Sequence, residues 1–243
     1  MLPLLLHAHY TQYQDDLEFW ENLADDCAGP ILELGCGTGR LLNQLAQFHP
    51  SVFGIDHGFD MLVFCKKTLT TNYRTRIHIL QADFRAFHFA EKFGLILIAC
   101  NTYSTLSEIK RLEVLSRVNY HLATGGKFAF SIPNPVRIQE LDEQSETEVE
   151  AVFNHPIDNE PVQVLSSWEL GGGKWTLFWH YEHLLPDGTV ERTSAHTTHF
   201  LTHANQYARE IQNAGFRNMI FYGDFDNSQY TESSPYLISV STK

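Results

Sequence analysis

The sequence predicts an α/β protein with a mostly parallel central sheet and a smaller antiparallel sheet inserted into it. Over the first 135 residues, short apolar segments alternate with segments of helical periodicity. A glycine-rich turn follows the first apolar segment, as where a strand feeds a helix. From about residue 146 to 201 the helical period disappears, and short alternating segments separated by turn residues take its place.

Five apolar segments predict the parallel strands. Because they are apolar almost throughout, we expect helices to cover both faces of their sheet. The predicted strands are 30–35, 52–55, 76–80, 93–99 and 127–132. The predicted helices between and before them are 10–27, 41–48, 60–69 and 106–122. The last of these helices carries one apolar stripe, formed by Leu106, Ile109, Leu112, Leu115 and Val118.

The antiparallel part is predicted as a meander of about four strands, with a strong hairpin signal at Pro186-Asp187-Gly188. A helix over 206–214, ended by Gly215, and two strands near 217–223 and 235–242 then complete the chain. This divides it into a main domain, 1–135 with 204–243, and an inserted sheet, 140–203.

Composition narrows the class of protein. The chain has 243 residues, 43% of them hydrophobic, and a net charge of −12. It has no long run of Lys or Arg, so a nucleic-acid partner is disfavoured, whereas small neutral or cationic substrates are favoured. None of the four cysteines forms a C-x-x-C pair, which predicts a reducing, cytoplasmic setting. The apolar start is too short for a signal peptide or a membrane span.

The glycine-rich turn is the most informative segment of the chain. It reads Ile-Leu-Glu-Leu-Gly-Cys-Gly-Thr-Gly-Arg over residues 31–40. Bare backbone and a helix N-terminus attract a polar or anionic ligand group. The dinucleotide fingerprint G-x-G-x-x-G would require glycine where Arg40 stands, so a pyrophosphate ligand is not favoured.

Polar residues stand at the ends of the next three strands, where ligands of open α/β sheets bind. Asp56 ends the second strand and is placed to accept hydrogen bonds from ribose hydroxyls. Asp83 and Phe84 end the third, where a carboxylate can accept from an adenine amino group and a ring can pack on the base. The carbonyls of Cys100 and Asn101, after the fourth strand, can hold an ammonium group. A lone Asp after a strand is more often a turn residue, but the whole set favours an adenosyl and amino-acid ligand.

These segments resemble the motifs of class I S-adenosylmethionine-dependent methyltransferases. Residues 33–40 resemble their first motif, 53–56 followed by Met61 the second, 81–84 the third and 93–106 the fourth. The resemblance implies a Rossmann-like, seven-stranded sheet of order 3-2-1-4-5-7-6, with the seventh strand antiparallel. The inserted meander resembles the substrate-covering insertion of small-molecule N-methyltransferases, including those that act on amino sugars.

The resemblance also implies roles around the cofactor. Glu33 positions the glycine turn, and the glycines let the methionine part lie close. The implied cofactor residues are Tyr13, Glu33, Gly35, Cys36, Gly37, Gly39, Arg40, Asp56, Met61, Asp83, Phe84, Cys100 and Asn101. Two interpretations of Arg40 are open: contact with the cofactor carboxylate, or a solvated position at the helix start. Tyr10 or Tyr13 either closes over the cofactor or packs its helix. The chain departs from the family pattern after Asp56, where His57-Gly58-Phe59 replaces a small polar cap, and at Asn101.

The reaction needs an acceptor lone pair aligned with the S–CH₃ bond and water excluded. The candidate catalytic residues are Tyr103, Asn134 and His180, with His155, His183, His196, His199 and His203 as further candidate bases. On a strand, His196 and His199 point to opposite faces, so we expect no metal site there. One face carries Trp175, Leu177, Trp179 and Tyr181, which either cover a substrate or pack on the core or a dimer partner.

The sequence therefore predicts methyl transfer from S-adenosylmethionine to a small molecule, leaving S-adenosylhomocysteine. N-methylation is favoured and O-methylation stays open. The alternatives are a non-catalytic sensor or assembly protein that binds the same cofactor, and a nicotinamide-dependent oxidoreductase. We expect a small-molecule substrate, neither a nucleic-acid nor a membrane partner, and a monomer or homodimer.

Overall fold

The computed structural model describes residues 1–243, in which eleven strands form two sheets. The strands are β1 (Ile31–Leu34), β2 (Val52–Asp56), β3 (Ile77–Gln81), β4 (Phe93–Ile98), β5 (Leu122–Pro133), β6 (Glu148–Asn154), β7 (Pro161–Gly171), β8 (Lys174–Leu184), β9 (Val190–Phe200), β10 (Arg217–Tyr222) and β11 (Tyr236–Thr242). The central sheet has the order β10-β11-β5-β4-β1-β2-β3, and β11 runs antiparallel to both of its neighbours. The predicted class I methyltransferase fold and strand order are confirmed.

The middle of this sheet is buried on both faces. Every residue of β1 and β4 is buried, because each of these strands is apolar at nearly every position. In β1, Ile31 lies between Val52 of β2 and Leu95 of β4, all in parallel register. The carboxyl ends of these strands therefore meet at one edge of the sheet, where the candidate site lies.

Seven α-helices accompany the sheets. They are α1 (Leu2–Tyr10), α2 (Leu17–Asp25), α3 (Arg40–Phe48), α4 (Phe59–Thr68), α5 (Glu108–His121), α6 (Pro135–Gln139) and α7 (Ala204–Asn213). The single helix predicted over 10–27 is wrong: residues 11–16 form a turn between α1 and α2. The apolar start of the chain forms α1, whose Leu5 is buried against the inserted sheet.

The predicted apolar stripe of α5 is also wrong in part. Ile109 is 73% exposed and Leu112 is 45% exposed, whereas Arg111 is buried on the inward face. Arg111 can lie there because its guanidinium donates to both carboxylate oxygens of the buried Glu210 on α7, at 2.8 and 2.7 Å. With this ion pair, Arg111 lies on the buried face of α5, where apolarity alone would place Ile109 and Leu112.

The inserted sheet has the order β6-β7-β8-β9 and is antiparallel throughout. Its face toward α1 carries Val162, Val164, Trp179 and Tyr181, which form a small apolar cluster with Leu5. Two members of the predicted aromatic face, Trp179 and Tyr181, thus pack against α1.

A membrane-spanning helix needs a long apolar segment, and no helix of this structure has one.

Candidate active site

The glycine-rich turn joins β1 to α3, and all three of its glycines have positive φ: +81° at Gly35, +52° at Gly37 and +82° at Gly39. A Cβ atom on Gly39 would lie 2.5 Å from Sγ of Cys65, so this glycine allows α3 and α4 to pack. A Cβ atom on Gly37 would meet no atom within 4 Å. The backbone at Gly37 therefore faces open space, in which a ligand could lie against it.

Asp56 holds this turn from the end of β2. One carboxylate oxygen accepts the backbone N–H of Gly37 at 2.8 Å, and the other accepts that of Gly58 at 2.7 Å. Each oxygen keeps a second lone pair, so the carboxylate can still accept hydrogen bonds from a ligand.

Glu33 lies beneath the turn, in the middle of β1, and only 4% of the residue is exposed. One of its buried carboxylate oxygens has no hydrogen-bond partner. Burial raises the pKa of Glu33 from its ordinary value of 4.5 to about 8, although the nearby Arg40 lowers it. A buried carboxylate without a partner is costly, and a cationic ligand group would remove that cost.

The end of β4 faces the glycine turn. Cys100 and Asn101 are consecutive non-glycine residues in the left-handed region, with φ of +52° and +62°. Such strained backbone is concentrated at functional sites. A Cβ atom on Gly35 would lie 3.0 Å from Cγ2 of Thr102, so this turn packs directly on the glycine turn. The structure thus brings the ends of β1, β2 and β4 together around one cleft.

Arg40 is not solvated at the start of α3, so that interpretation is wrong, and its contact with the cofactor carboxylate stays a prediction. Its guanidinium binds both carboxylate oxygens of Asp16, at 2.8 and 2.6 Å, and donates to the carbonyl of Tyr13 at 3.1 Å. The Arg40 side chain is 10% exposed, and it also lies 3.1 Å from Sγ of Cys100. It therefore fastens the turn between α1 and α2 to the cleft.

The residues predicted to contact adenine lie at the β2–β3 side. Asp83 is half-exposed and ion-paired with Arg85, whose hydrogen bonds lower the Asp83 pKa. Phe84 is partly buried against the core, and Met61 lies beside Gly58, where a Cβ would be 3.2 Å from its Cγ. The role of these residues in binding stays a prediction.

Two other predicted cofactor residues point their side chains elsewhere. Cys36 is buried and its Sγ lies against Gly54, so only its backbone can reach the cleft. The Tyr13 hydroxyl donates to that of Tyr236 at 3.2 Å, which joins the turn before α2 to β11.

Residues 31–126 match the methyltransferase domain family. This segment of the chain is similar to a methyltransferase domain. The match covers β1 through the start of β5, and therefore every strand end that lines the cleft.

Individual known proteins are similar to this chain in sequence or in structure. An uncharacterized methyltransferase from Bacillus thuringiensis (strain Al Hakam) is 25% identical over 124 residues, which are 49% of this chain. The chain spans only 56% of that relative's length. The sugar N-methyltransferase KedS8 from Streptoalloteichus has the same fold, with a TM-score of 0.78 and 18% identity over 98% of this chain and 91% of that one. CalS10, an amino pentose methyltransferase from Micromonospora echinaspora with bound S-adenosylmethionine, has a TM-score of 0.75. It is 16% identical, and the comparison covers 98% of this chain and 95% of that one.

The three predicted catalytic residues lie in three separate environments and are not brought together at the cleft. Tyr103 is fully buried and packs on Phe130 and Tyr207. Asn134 is buried and donates to the carbonyls of residues 231, 232 and 234, so it fixes the loop between β10 and β11. His180 is on the outer face of β8, where it bonds Ser194.

Glu150 is a candidate site residue that the sequence did not reveal. It is the extra residue of a β-bulge in β6, since Val149 pairs with Leu165 and Ala151 with Val164. The bulge turns its carboxylate to the inner face, where it contacts Nε2 of His9 at 3.3 Å and accepts from Nε1 of Trp179 at 2.9 Å. Ala151 is also on the inner face, so alternation counted back from it would place Glu150 on the outer face, and no sequence signal marks the bulge.

The inserted sheet and α1 are both anchored at the cleft. Nδ1 of His199, on β9, lies 2.8 Å from Oγ of Ser104, which donates in turn to the carbonyl of Asn101. Burial lowers the pKa of His199 to about 4, so this imidazole is neutral near pH 7. From α1, Nδ1 of His7 lies 3.0 Å from the Thr38 hydroxyl in the glycine turn.

Proposed function

We propose that this chain transfers a methyl group from S-adenosylmethionine to a small-molecule acceptor. The observation that carries the proposal is the buried, unpartnered carboxylate oxygen of Glu33 beneath the open glycine turn. An ammonium group is the partner that such an oxygen lacks, and the cofactor has one on its methionine part. When bound, the cofactor supplies a methyl group already activated on a sulfonium.

The chain's own residues fit the rest of this cofactor. Asp56 has free lone pairs for ribose hydroxyls, and it also fixes the turn at Gly37. The open backbone at Gly37 leaves room for the methionine part. Asp83 and Phe84, at the end of β3, are the proposed adenine contacts. These contacts bind and orient, which is what an activated methyl donor requires of the protein.

The acceptor is proposed to lie between the cleft, α1 and the inner face of the inserted sheet. Glu150 is on that face, and its side chain is 38% exposed. Burial alone would raise its pKa, but hydrogen bonds from His9, Ser166 and Trp179 lower it below the usual value. The carboxylate is therefore ionised at neutral pH. Burial raises the pKa of Tyr10, and Cys100 and the Glu150 carboxylate raise it further.

An ionised carboxylate at this place favours an acceptor that carries an amine. The net charge of −12 acts in the same direction, since it attracts cationic molecules. The likeness to an amino pentose methyltransferase and a sugar N-methyltransferase supports N-methylation. We therefore propose an amino-sugar-type or similar small amine as the acceptor class. A monomer or homodimer remains the predicted assembly.

The test is release of S-adenosylhomocysteine by the purified full chain, with S-adenosylmethionine and a panel of amino sugars. Each amino sugar is paired with the sugar that has a hydroxyl in place of the amine. We expect turnover with at least one amine and not with its hydroxyl counterpart. Turnover only with hydroxyl compounds would contradict N-methylation. Cofactor binding without turnover on any acceptor would favour the non-catalytic sensor instead.

A further inference from the structure

A cluster of two imidazoles and one carboxylate lies on the inserted sheet. His155 and Asp158 belong to the loop between β6 and β7, and His183 is near the end of β8. Val162, which pairs with His183, follows the loop directly and packs with Leu5 of α1. The β6–β7 loop and the end of β8 thus meet at this cluster of side chains. The proposed methyl transfer does not use the cluster.

The ligand-type atoms of the cluster are close together. Nδ1 of His155 is 2.9 Å from Oδ1 of Asp158, and Nε2 of His183 is 3.2 Å from the same oxygen. All three atoms lie within 4.8 Å of one another. Two atoms bound to one tetrahedral zinc ion at ~2.05 Å are about 3.3 Å apart. The two nitrogen–oxygen distances therefore need only a small change to accommodate an ion of this size.

The two imidazoles are buried without adequate partners. His155 is 3% and His183 is 5% exposed, and their rings stack with centroids 4.0 Å apart. The single Asp158 oxygen is the only hydrogen-bond partner of either ring, and Nε2 of His155 has none. Buried polar groups normally have their own partners. The two rings share one carboxylate oxygen of Asp158 as their hydrogen-bond partner. A cation bound by both rings would be a stronger partner than this shared oxygen.

The donor set selects the kind of ion. Imidazole nitrogen suits zinc and its neighbours in the first transition row, whereas magnesium and calcium prefer oxygen ligands. The Asp158 side chain is 41% exposed, so a water molecule can reach the remaining coordination position from solvent. We propose that His155, Asp158 and His183 form a zinc-binding site that ties the β6–β7 loop to β8.

The test uses the untagged full chain, freed of metal with a chelator and titrated with Zn²⁺ against a chromophoric chelator. We expect one ion per chain and a higher melting temperature in its presence. Asp158→Asn has the same shape but is a poorer ligand, and we expect it to weaken binding at least about tenfold. His196→Ala, which removes an imidazole from the outer face of β9, should leave binding unchanged.

Cobalt(II) substitution gives a second readout that needs no variant. We expect visible d–d absorption without a thiolate charge-transfer band, since the proposed ligands contain no sulfur. A thiolate band would place the ion on one of the four free cysteines and overturn the proposal. Equal zinc affinity in wild type and in a folded Asp158→Asn protein would overturn it as well, and so would the absence of binding in the wild type.

Discussion

The carboxylate of Asp56 lies 2.8 Å from the backbone nitrogen of Gly37 and thereby fixes the glycine turn to the end of β2. The same residue that is proposed to bind ribose thus also shapes the surface proposed to receive the methionine part of the cofactor. Loss of this carboxylate should affect both functions at once.

We therefore expect Asp56→Asn to weaken S-adenosylmethionine binding by about tenfold or more. The amide is neutral and keeps one acceptor oxygen, so one of the two backbone N–H groups loses its acceptor and the other loses its charged partner, at a cost of about 1.5–3 kcal/mol. Calorimetric titration measures the affinity, with Asp60→Asn on the exposed start of α4 as the control. Unchanged affinity in Asp56→Asn would remove this residue from the proposed site.

The substitution Gly37→Ala tests whether the glycine turn is a binding surface or only an ordinary turn. A Cβ atom at Gly37 meets nothing in the ligand-free protein, and φ of +52° is a left-handed conformation that alanine adopts at a cost of about 1–2 kcal/mol. We expect a folded protein that is destabilised by about 1–2 kcal/mol and has greatly reduced cofactor binding. Denaturant unfolding and calorimetry check the two parts. Full cofactor affinity in the variant would show that no ligand lies against Gly37.

Glu33 should make the ligand-free protein less stable as pH rises. Its pKa is about 8 in the folded protein and near 4.5 when unfolded. Between these values the folded state keeps a proton that the unfolded state has lost, so the free energy of unfolding falls with pH. The loss is complete above about pH 8. Each pKa unit is worth about 1.4 kcal/mol, which sets an upper bound of roughly 5 kcal/mol.

Glu33→Gln removes this titration. We expect the stability of the variant relative to wild type to be higher at about pH 8 than at about pH 5, by a few kcal/mol at most. Denaturant unfolding at both pH values measures it, with saturating S-adenosylmethionine expected to reduce the difference. A stability difference between variant and wild type that is the same at both pH values would contradict the raised pKa.

Glu150→Gln tests the proposed acceptor position. We expect KM for an amine acceptor to rise about tenfold, because a charged partner of the ammonium group is lost, with cofactor affinity unchanged. Glu169→Gln, at an exposed position on the outer face of β7, is the matched control. An unchanged KM in Glu150→Gln would mean that this carboxylate only supports His9 and Trp179.

Much of the fold could be predicted because its central strands are continuous apolar segments with glycine and polar residues at their ends. Strands β1 to β5 were accessible in this way, whereas the order of the sheet was implied by the resemblance to class I methyltransferases. The inward face of α5 was not, since it depends on Arg111 meeting Glu210 about a hundred residues later in the chain. Periodicity reports apolarity and carries no information about such a partner.

Some features of the candidate site could likewise be predicted from the sequence, and others could not. Gly37 was named from the glycine-rich turn and Asp56 from its place at a strand end, whereas the role of Glu33 was implied by the resemblance to class I methyltransferases. The structure places all three around one cleft. The pairing of Arg40 with Asp16 depends on where the turn between α1 and α2 packs, which no local pattern specifies. Glu150 depends on a β-bulge, and a single inserted residue reverses the face that alternation assigns.

The central claim, that this cleft binds S-adenosylmethionine, is tested most directly by calorimetric titration of the full chain. The ligands are S-adenosylmethionine and S-adenosylhomocysteine, with NADH as the comparison. We predict binding of the first two near micromolar affinity, about −8 kcal/mol, and none of NADH. Binding of NADH alone would contradict the account and point to hydride chemistry.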